Sequence, residues 1–166
     1  MSHAYPPIGP KPTPELLFVG SLLYADTEHV KPVLELVADD DLDQVYLRPV
    51  LAVIRDLVAA DRLHDGAVVG GELQRRGALA GESGRLTLRA LADASTSGAA
   101  ANHLAPQCYA AAVVADAYRR RFETAGSALA EAATGFAEDD LLPLLRNVGT
   151  EAVRHAERLA KLRGVA

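Results

Sequence analysis

The chain contains no tryptophan, one cysteine, one methionine and three phenylalanines among its 166 residues, and aromatic residues make up only 5% of it. With so few large rings, its hydrophobic fraction of 49% must be packed from Ala, Leu and Val, a palette that favours closely packed helices over a β-sandwich. The lone Cys108 has no second thiol for an internal disulfide or a shared metal, which fits a reducing compartment. Lysine occurs only at Lys11, Lys31 and Lys161; 17 basic residues against 22 acidic ones leave a net charge of −5. The basic excess that grips phosphates by counterion release is missing, so tight direct binding of nucleic acid is not expected. No apolar run approaches the ~20 residues of a membrane span, and the N-terminus lacks a charged-then-apolar signal pattern. The expected setting is the cytoplasm, with no membrane partner.

The length fits one domain and leaves little room for two cores. Residues 1–12, with Pro6, Pro7, Pro10 and Pro12, read as an extended, flexible arm. A helical head follows over residues 13–97. Thr13 can cap a first helix with Pro14 in its first turn, ending near Tyr24. Asp26-Thr27 starts a second helix that Pro32 is expected to split or kink, and Asp39-Asp40-Asp41 reads as a solvated acidic cap. Val50, Val53, Ile54, Leu57 and Val58 recur at helical spacing between Val45 and Ala60, with Arg48-Pro49 a candidate first turn. Asp65 can cap another helix that stops at a left-handed Gly77. After a loop at Gly81-Glu82-Ser83-Gly84, a short helix carries Leu86, Leu88 and Leu91 up to Ser95-Thr96-Ser97-Gly98.

Residues 98–166 differ. From about Ala99 to Thr134 the chain is Ala-rich, and Leu104, Cys108, Ala111, Ala115, Tyr118, Phe122, Ala125 and Leu129 recur at spacings of three and four. A small buried thiol is the expected reading of Cys108 on that seam. A turn at Gly135 with Glu138-Asp139-Asp140 leads to a second seam of Leu141, Leu145, Val148, Ala152, His155, Leu159 and Leu162. Two seamed helices joined by a short turn predict a long antiparallel hairpin on the compact multi-helix head, an all-α protein. At ~1.5 Å per residue the first arm reaches roughly 50 Å, more than the head can cover. Part of the seam is therefore expected to meet a partner chain, through Leu104, Tyr118, Phe122, Leu129, Leu141, Leu145, Val148 and Leu159.

Catalytic signatures are absent. The glycines of Gly66 to Gly71 follow no strand and precede no Lys-Ser or Lys-Thr, so the phosphate-loop chemistry of nucleotide hydrolysis has no residues to carry it. The five histidines lack a spacing that would put two imidazoles on one helix face, and Asp39, Asp40, Asp41 and Asp43 lack the spacing and terminal Glu of a calcium loop. Ser83 lies in no nucleophile elbow. No catalytic residue, cofactor or metal is expected. Arg119-Arg120-Arg121, between Tyr118 and Phe122, is the densest basic cluster. Three consecutive helix positions fan over about 200°, which suits solvated or intersubunit ion pairs and candidate docking of an acidic partner surface.

Several segments, in order, resemble the N-terminal domain of DnaB-type replicative helicases over roughly residues 14–133. Glu15-Leu16-Leu17-Phe18-Val19-Gly20-Ser21-Leu22-Leu23 is similar to that family's opening E-x-x-V-L-G-x-L-L helix. Asp65 through Glu72-Leu73-Gln74-Arg75-Arg76-Gly77 is similar to its D-x-V-T-V-x-x-E-L-x-R-R-G segment, with Val68 in place of Thr. Leu88 to Ala94 and Ser97-Gly98-Ala99-Ala100-Ala101-Asn102 resemble its Y-L-x-x-L and P-x-A-A-N, and Tyr118-Arg119-Arg120-Arg121 resembles its L-L-R-R-L. The F-Y-x-P-x-H lead-in has no clear counterpart, as in a divergent paralogue. The resemblance implies a collar module: heads and hairpins pair into dimers, three dimers form a ring, and the ring docks primase, helicase or loader. The family's RecA-like motor has no counterpart after Leu162, so no helicase activity is expected of these residues. A small helical ligand-binding or regulatory protein that reuses the head without replication partners is the alternative.

Overall fold

A computed structural model describes residues 11–164, and all regular structure among them is helical. The proline-rich arm expected over residues 1–12 falls, up to residue 10, outside the described residues. Seven α-helices follow one another: α1 Pro14–Tyr24, α2 Thr27–Leu34, α3 Arg48–Ala59, α4 Gly66–Arg75, α5 Gly81–Ser95, α6 Ala105–Gly135 and α7 Glu138–Arg163, with 3-10 turns at Asp39–Asp41 and Val45–Leu47 between α2 and α3. α6 and α7 pack as the expected antiparallel hairpin, and the proximal half of α6 lies against α1. None of these helices is long and apolar enough to cross a membrane.

The helix starts follow the capping residues. Thr13 Oγ1 accepts from the Leu16 N–H at 3.3 Å, and Asp65 Oδ1 accepts from the Val68 N–H at 2.9 Å, each satisfying a donor that the first turn leaves open. Gly77 ends the α4 region at φ 71°, in the left-handed region that favours glycine. α1 is buried on nearly every side: Phe18, Val19 and Leu22 are fully buried and Leu23 almost so. It is the central strut, met by α3, α5 and α6. Gly20 makes this possible, since a Cβ there would stand 2.4 Å from the Ala94 carbonyl oxygen and 2.6 Å from Ser97 Oγ. Gly20 is thus the point where α5 closes on α1.

Three local expectations need correction and one is refined. Pro32 does not split α2, which runs through it to Leu34; its fixed φ suits a helix, and this late in so short a helix its missing N–H removes a single bond, to the Glu28 carbonyl. The helix placed between Val45 and Ala60 does start at its candidate first turn, Arg48-Pro49, after a separate Val45–Leu47 turn. Gly81 to Gly84 form the first turn of α5 rather than a loop. Gly84 is there for packing, because a Cβ would fall 2.0 Å from the Leu79 carbonyl carbon. Finally α6 starts at Ala105, not near Ala99; Asn102 Oδ1 accepts from the Leu104 and Ala105 N–H groups at 2.9 and 3.0 Å and holds the entry turn.

Candidate interaction site on the helical hairpin

α6 carries two stripes one residue out of phase. Ala110, Val113, Val114 and Ala117 are buried against the head. Their i, i+3, i+4, i+7 spacing makes one face, and their small size lets α6 approach α1, which already supplies the bulky Phe18 and Leu22. The stripe expected from the larger residues lies beside it. Ala111 and Ala115 pack on the edge of the core, Tyr118 is half-buried, and Phe122 is 53% exposed. Cys108, expected to be a buried thiol, is exposed, because it falls off the buried stripe that runs through Pro106, Ala110, Val113 and Ala117.

Beyond Ala117 the head meets α6 through polar contacts of Arg120 and Arg121 with the Asp39–Asp41 turn, and along the rest of that helix only Ala132 is fully buried. In α7, complete burial begins only at Leu159 and Leu162. The residues expected to meet a partner therefore divide. Leu159 belongs to this chain's own core, which corrects its place in the exposed seam. Leu129, Leu141 and Val148 are half-buried, whereas Leu104 and Leu145 are open to solvent, along with Phe136, Leu142 and Val153, which the seam reading passed over. Tyr118, Phe122 and Val148 come together in a groove of about 320 Å³ between α6 and α7, whose polar end holds Arg121, Glu151 and His155. The Tyr118 and Phe122 rings meet edge to face, 4.8 Å between centroids, a favourable aromatic arrangement.

The hairpin is fastened to the head by an ion cluster that the sequence reading treated as solvent-facing. Asp41 has no solvent exposure. Its Oδ2 accepts from Arg158 Nη1 and from the Ala38 N–H, both at 2.7 Å; its Oδ1 accepts from Arg121 Nη1 at 2.6 Å and Arg158 Nη2 at 3.1 Å. Arg120 Nη2 donates to the Asp41 carbonyl at 2.7 Å, Arg121 also pairs with Asp40 at 3.0 Å, and Arg158 donates to the Leu36 carbonyl at 2.9 Å. Burial works to raise the Asp41 pKa, but these hydrogen bonds and the Arg158 charge outweigh it and hold the carboxyl below its ordinary 3.8. A buried charge is tolerated only when it is matched in this way. The acidic cap is thus a buried anchor, and two of the three candidate docking arginines, Arg120 and Arg121, are engaged within the chain. Arg119 is exposed.

The signal for this anchor was present as a pair of opposite charge runs, Asp39 to Asp41 and Arg119 to Arg121, each weighed alone. Arg158 had no local signal, since it joins the turn only through the antiparallel return of α7. A second buried carboxylate, Glu15, accepts from the Asp43 and Gln44 N–H groups at 2.7 and 2.9 Å and fixes the chain just after the turn. Glu72 is clamped by Arg75 and Arg76, whose hydrogen bonds bring its pKa down to about 2. That arginine pair stabilises the end of α4. One cluster of metal-ligand types occurs among the described residues: Asp26, Glu28 and His29, with ligand atoms within 4.8 Å of one another. It sits on the exposed first turn of α2, where the positive end of the helix dipole opposes a cation.

With this geometry in view, no protein-family model matches the chain, and no curated protein matches it.

Proposed function

We propose that the chain is a non-enzymatic oligomerisation and protein-docking module, similar in role to the N-terminal collar of a replicative helicase, and that its hairpin pairs with a second copy. The observation that carries this reading is the contrast along α6: a dry face seals onto the head up to Ala117, after which Phe122 is 53% exposed, with Leu145 on α7 equally open. Solvent-facing apolar side chains gathered on one projecting element mark an interaction surface. Burial at ~25 cal/mol per Å² supplies the binding free energy, since the strip is built from Ala, Leu, Val, Phe and Tyr. The segment order that resembles the DnaB-type family supports the arrangement, a dimer or a trimer of dimers, with a helicase, primase or loader as the docked partner in DNA replication.

Interface variants test the reading. Phe122→Asp places a carboxylate in a surface that must become dry, a costly change. Sedimentation of the native chain should give a mass above the monomer, and Phe122→Asp or Tyr118→Asp should move it to the monomer. Unchanged mass in both variants overturns the role of the hairpin face. The groove between α6 and α7 favours a second reading as a small-ligand-binding regulatory protein, because about 320 Å³ reaches the lower end of ligand-site volumes. Pull-down from native lysate separates the two: recovered helicase or primase supports docking, and a bound small molecule without them supports the ligand reading.

A further inference from the structure

His155 stands at the rim of the ion anchor, and its surroundings fix its protonation state. Arg158 Nη2 lies 2.6 Å from His155 Nδ1. A guanidinium only donates, so Nδ1 must accept, and the ring is neutral with its proton on Nε2. That Nε2 faces Glu151 Oε2 at 4.0 Å. The ring is 14% exposed and Arg158 17% exposed, so neither is free to turn away into water. From α7, Arg158 and Glu151 face the ring; from α6, Arg121 and Tyr118 face it; from the 3-10 turn, Asp41 and Asp40 complete the surroundings. The same Arg158 that donates to His155 also holds Asp41 and the Leu36 carbonyl, the only hydrogen bonds given by an α7 side chain to the head's α2-to-α3 connection among the described residues.

We propose that His155 is a proton-sensitive latch: neutral, it accepts from Arg158 and steadies that guanidinium on Asp41; protonated, it opposes Arg158 and Arg121, and the C-terminal half of α7 loosens from the head. The proton comes from solvent and adds to Nδ1, turning the acceptor into a donor that points at another donor. Burial first, then the charges of Arg121 and Arg158, lower the His155 pKa below 6.5, against the smaller opposing pull of Asp41 and Glu151. A base with a depressed pKa in the docked state binds its proton more readily once undocked. Docking is therefore at full strength above about pH 6.5 and weakens as pH falls from there toward the lower docked-state pKa. Asp41 titrates only below its ordinary 3.8, so the two events occupy separate pH windows. Leu159 and Leu162, next along α7 and buried in the core, report the change. The latch does not depend on the hairpin meeting a second copy.

Methyl NMR of the full chain between pH 7.5 and 5.0, at a dilution where its mass is constant across that range, tests the latch. The Leu159 and Leu162 methyl signals should shift together with the His155 ring signals, with one common midpoint below 6.5. His155→Asn, whose amide oxygen can replace Nδ1 as the acceptor, should keep the pH 7.5 spectrum and abolish the shift. His155→Gln, also non-titrating, serves if the Asn variant does not fold. A native chain whose leucine methyls ignore pH, a ring midpoint at or above 6.5, or a shift that persists in the variant would each overturn the proposal.

Discussion

The head and the outer hairpin are made from nearly the same apolar alphabet, yet they bury it in opposite ways. In the head, α1 is enclosed by α3, α5 and α6, and Phe18, Leu22, Leu51 and Ile54 have no exposure. In the outer hairpin, Phe122, Phe136, Leu142 and Leu145 are all more than half exposed. Two helices alone offer each other one face each, whereas a core needs cover from several directions. The same residue types are thus structural in one region and adhesive in the other, and the boundary is drawn by how far along α6 the head extends.

Substitutions can sharpen that contrast. The largest effect is expected for Phe18→Ala, which leaves a cavity in the most enclosed part of the head and should cost about 3–5 kcal/mol in a denaturant melt. Asp41→Ala strands the Arg158 and Arg121 guanidiniums and should cost about 3 kcal/mol, with loss of hydrogen-exchange protection concentrated in α7 beyond Glu151. Gly20→Ala forces α1 and α5 apart and should cost roughly 1–3 kcal/mol. Leu145→Ser, on the outer hairpin, should change the stability of the dilute monomer by less than about 0.5 kcal/mol while weakening self-association. A large loss for Leu145→Ser in dilute solution would erase the distinction between the two regions.

Acid should act on the two regions in sequence. The hairpin anchor responds first, through His155 below about pH 6.5. Within the head, Glu72 has a pKa depressed from 4.5 to about 2. Its contribution is complete above pH 4.5 and is lost as pH falls toward 2. An acid titration followed at α4 should therefore lag behind one followed at Leu159. Simultaneous transitions would mean that head and hairpin unfold as one unit.

What was legible in the sequence was what local chemistry dictates. Thr13, Asp65 and Gly77 mark helix ends because capping and left-handed geometry act within a few residues, and the Gly135 turn separates two periodic runs for the same reason. The fold class and the hairpin followed from those signals. The phase of α6 did not: choosing Ala110 and Val113 over Cys108 and Tyr118 depends on α1 having already filled the space that larger side chains would need. Gly84 looked like a breaker because its close neighbour, the Leu79 backbone, is brought near only by the folded α4-to-α5 connection. Asp41 was hidden most deeply, since a carboxylate run reads as solvated until Arg121 and Arg158 arrive from helices about 80 and 117 positions away. Of the residues expected at the interface, Phe122 and Leu145 remain open and Leu159 does not, a division set by where the head stops.

The most direct measurement is the absolute mass of the unmodified chain by light scattering, from low to high micromolar concentration at pH 7.5. The collar reading requires a mass of at least two copies that falls toward one on dilution. A strict monomer throughout would contradict it, leaving the hairpin's apolar strip without the second copy proposed to cover it.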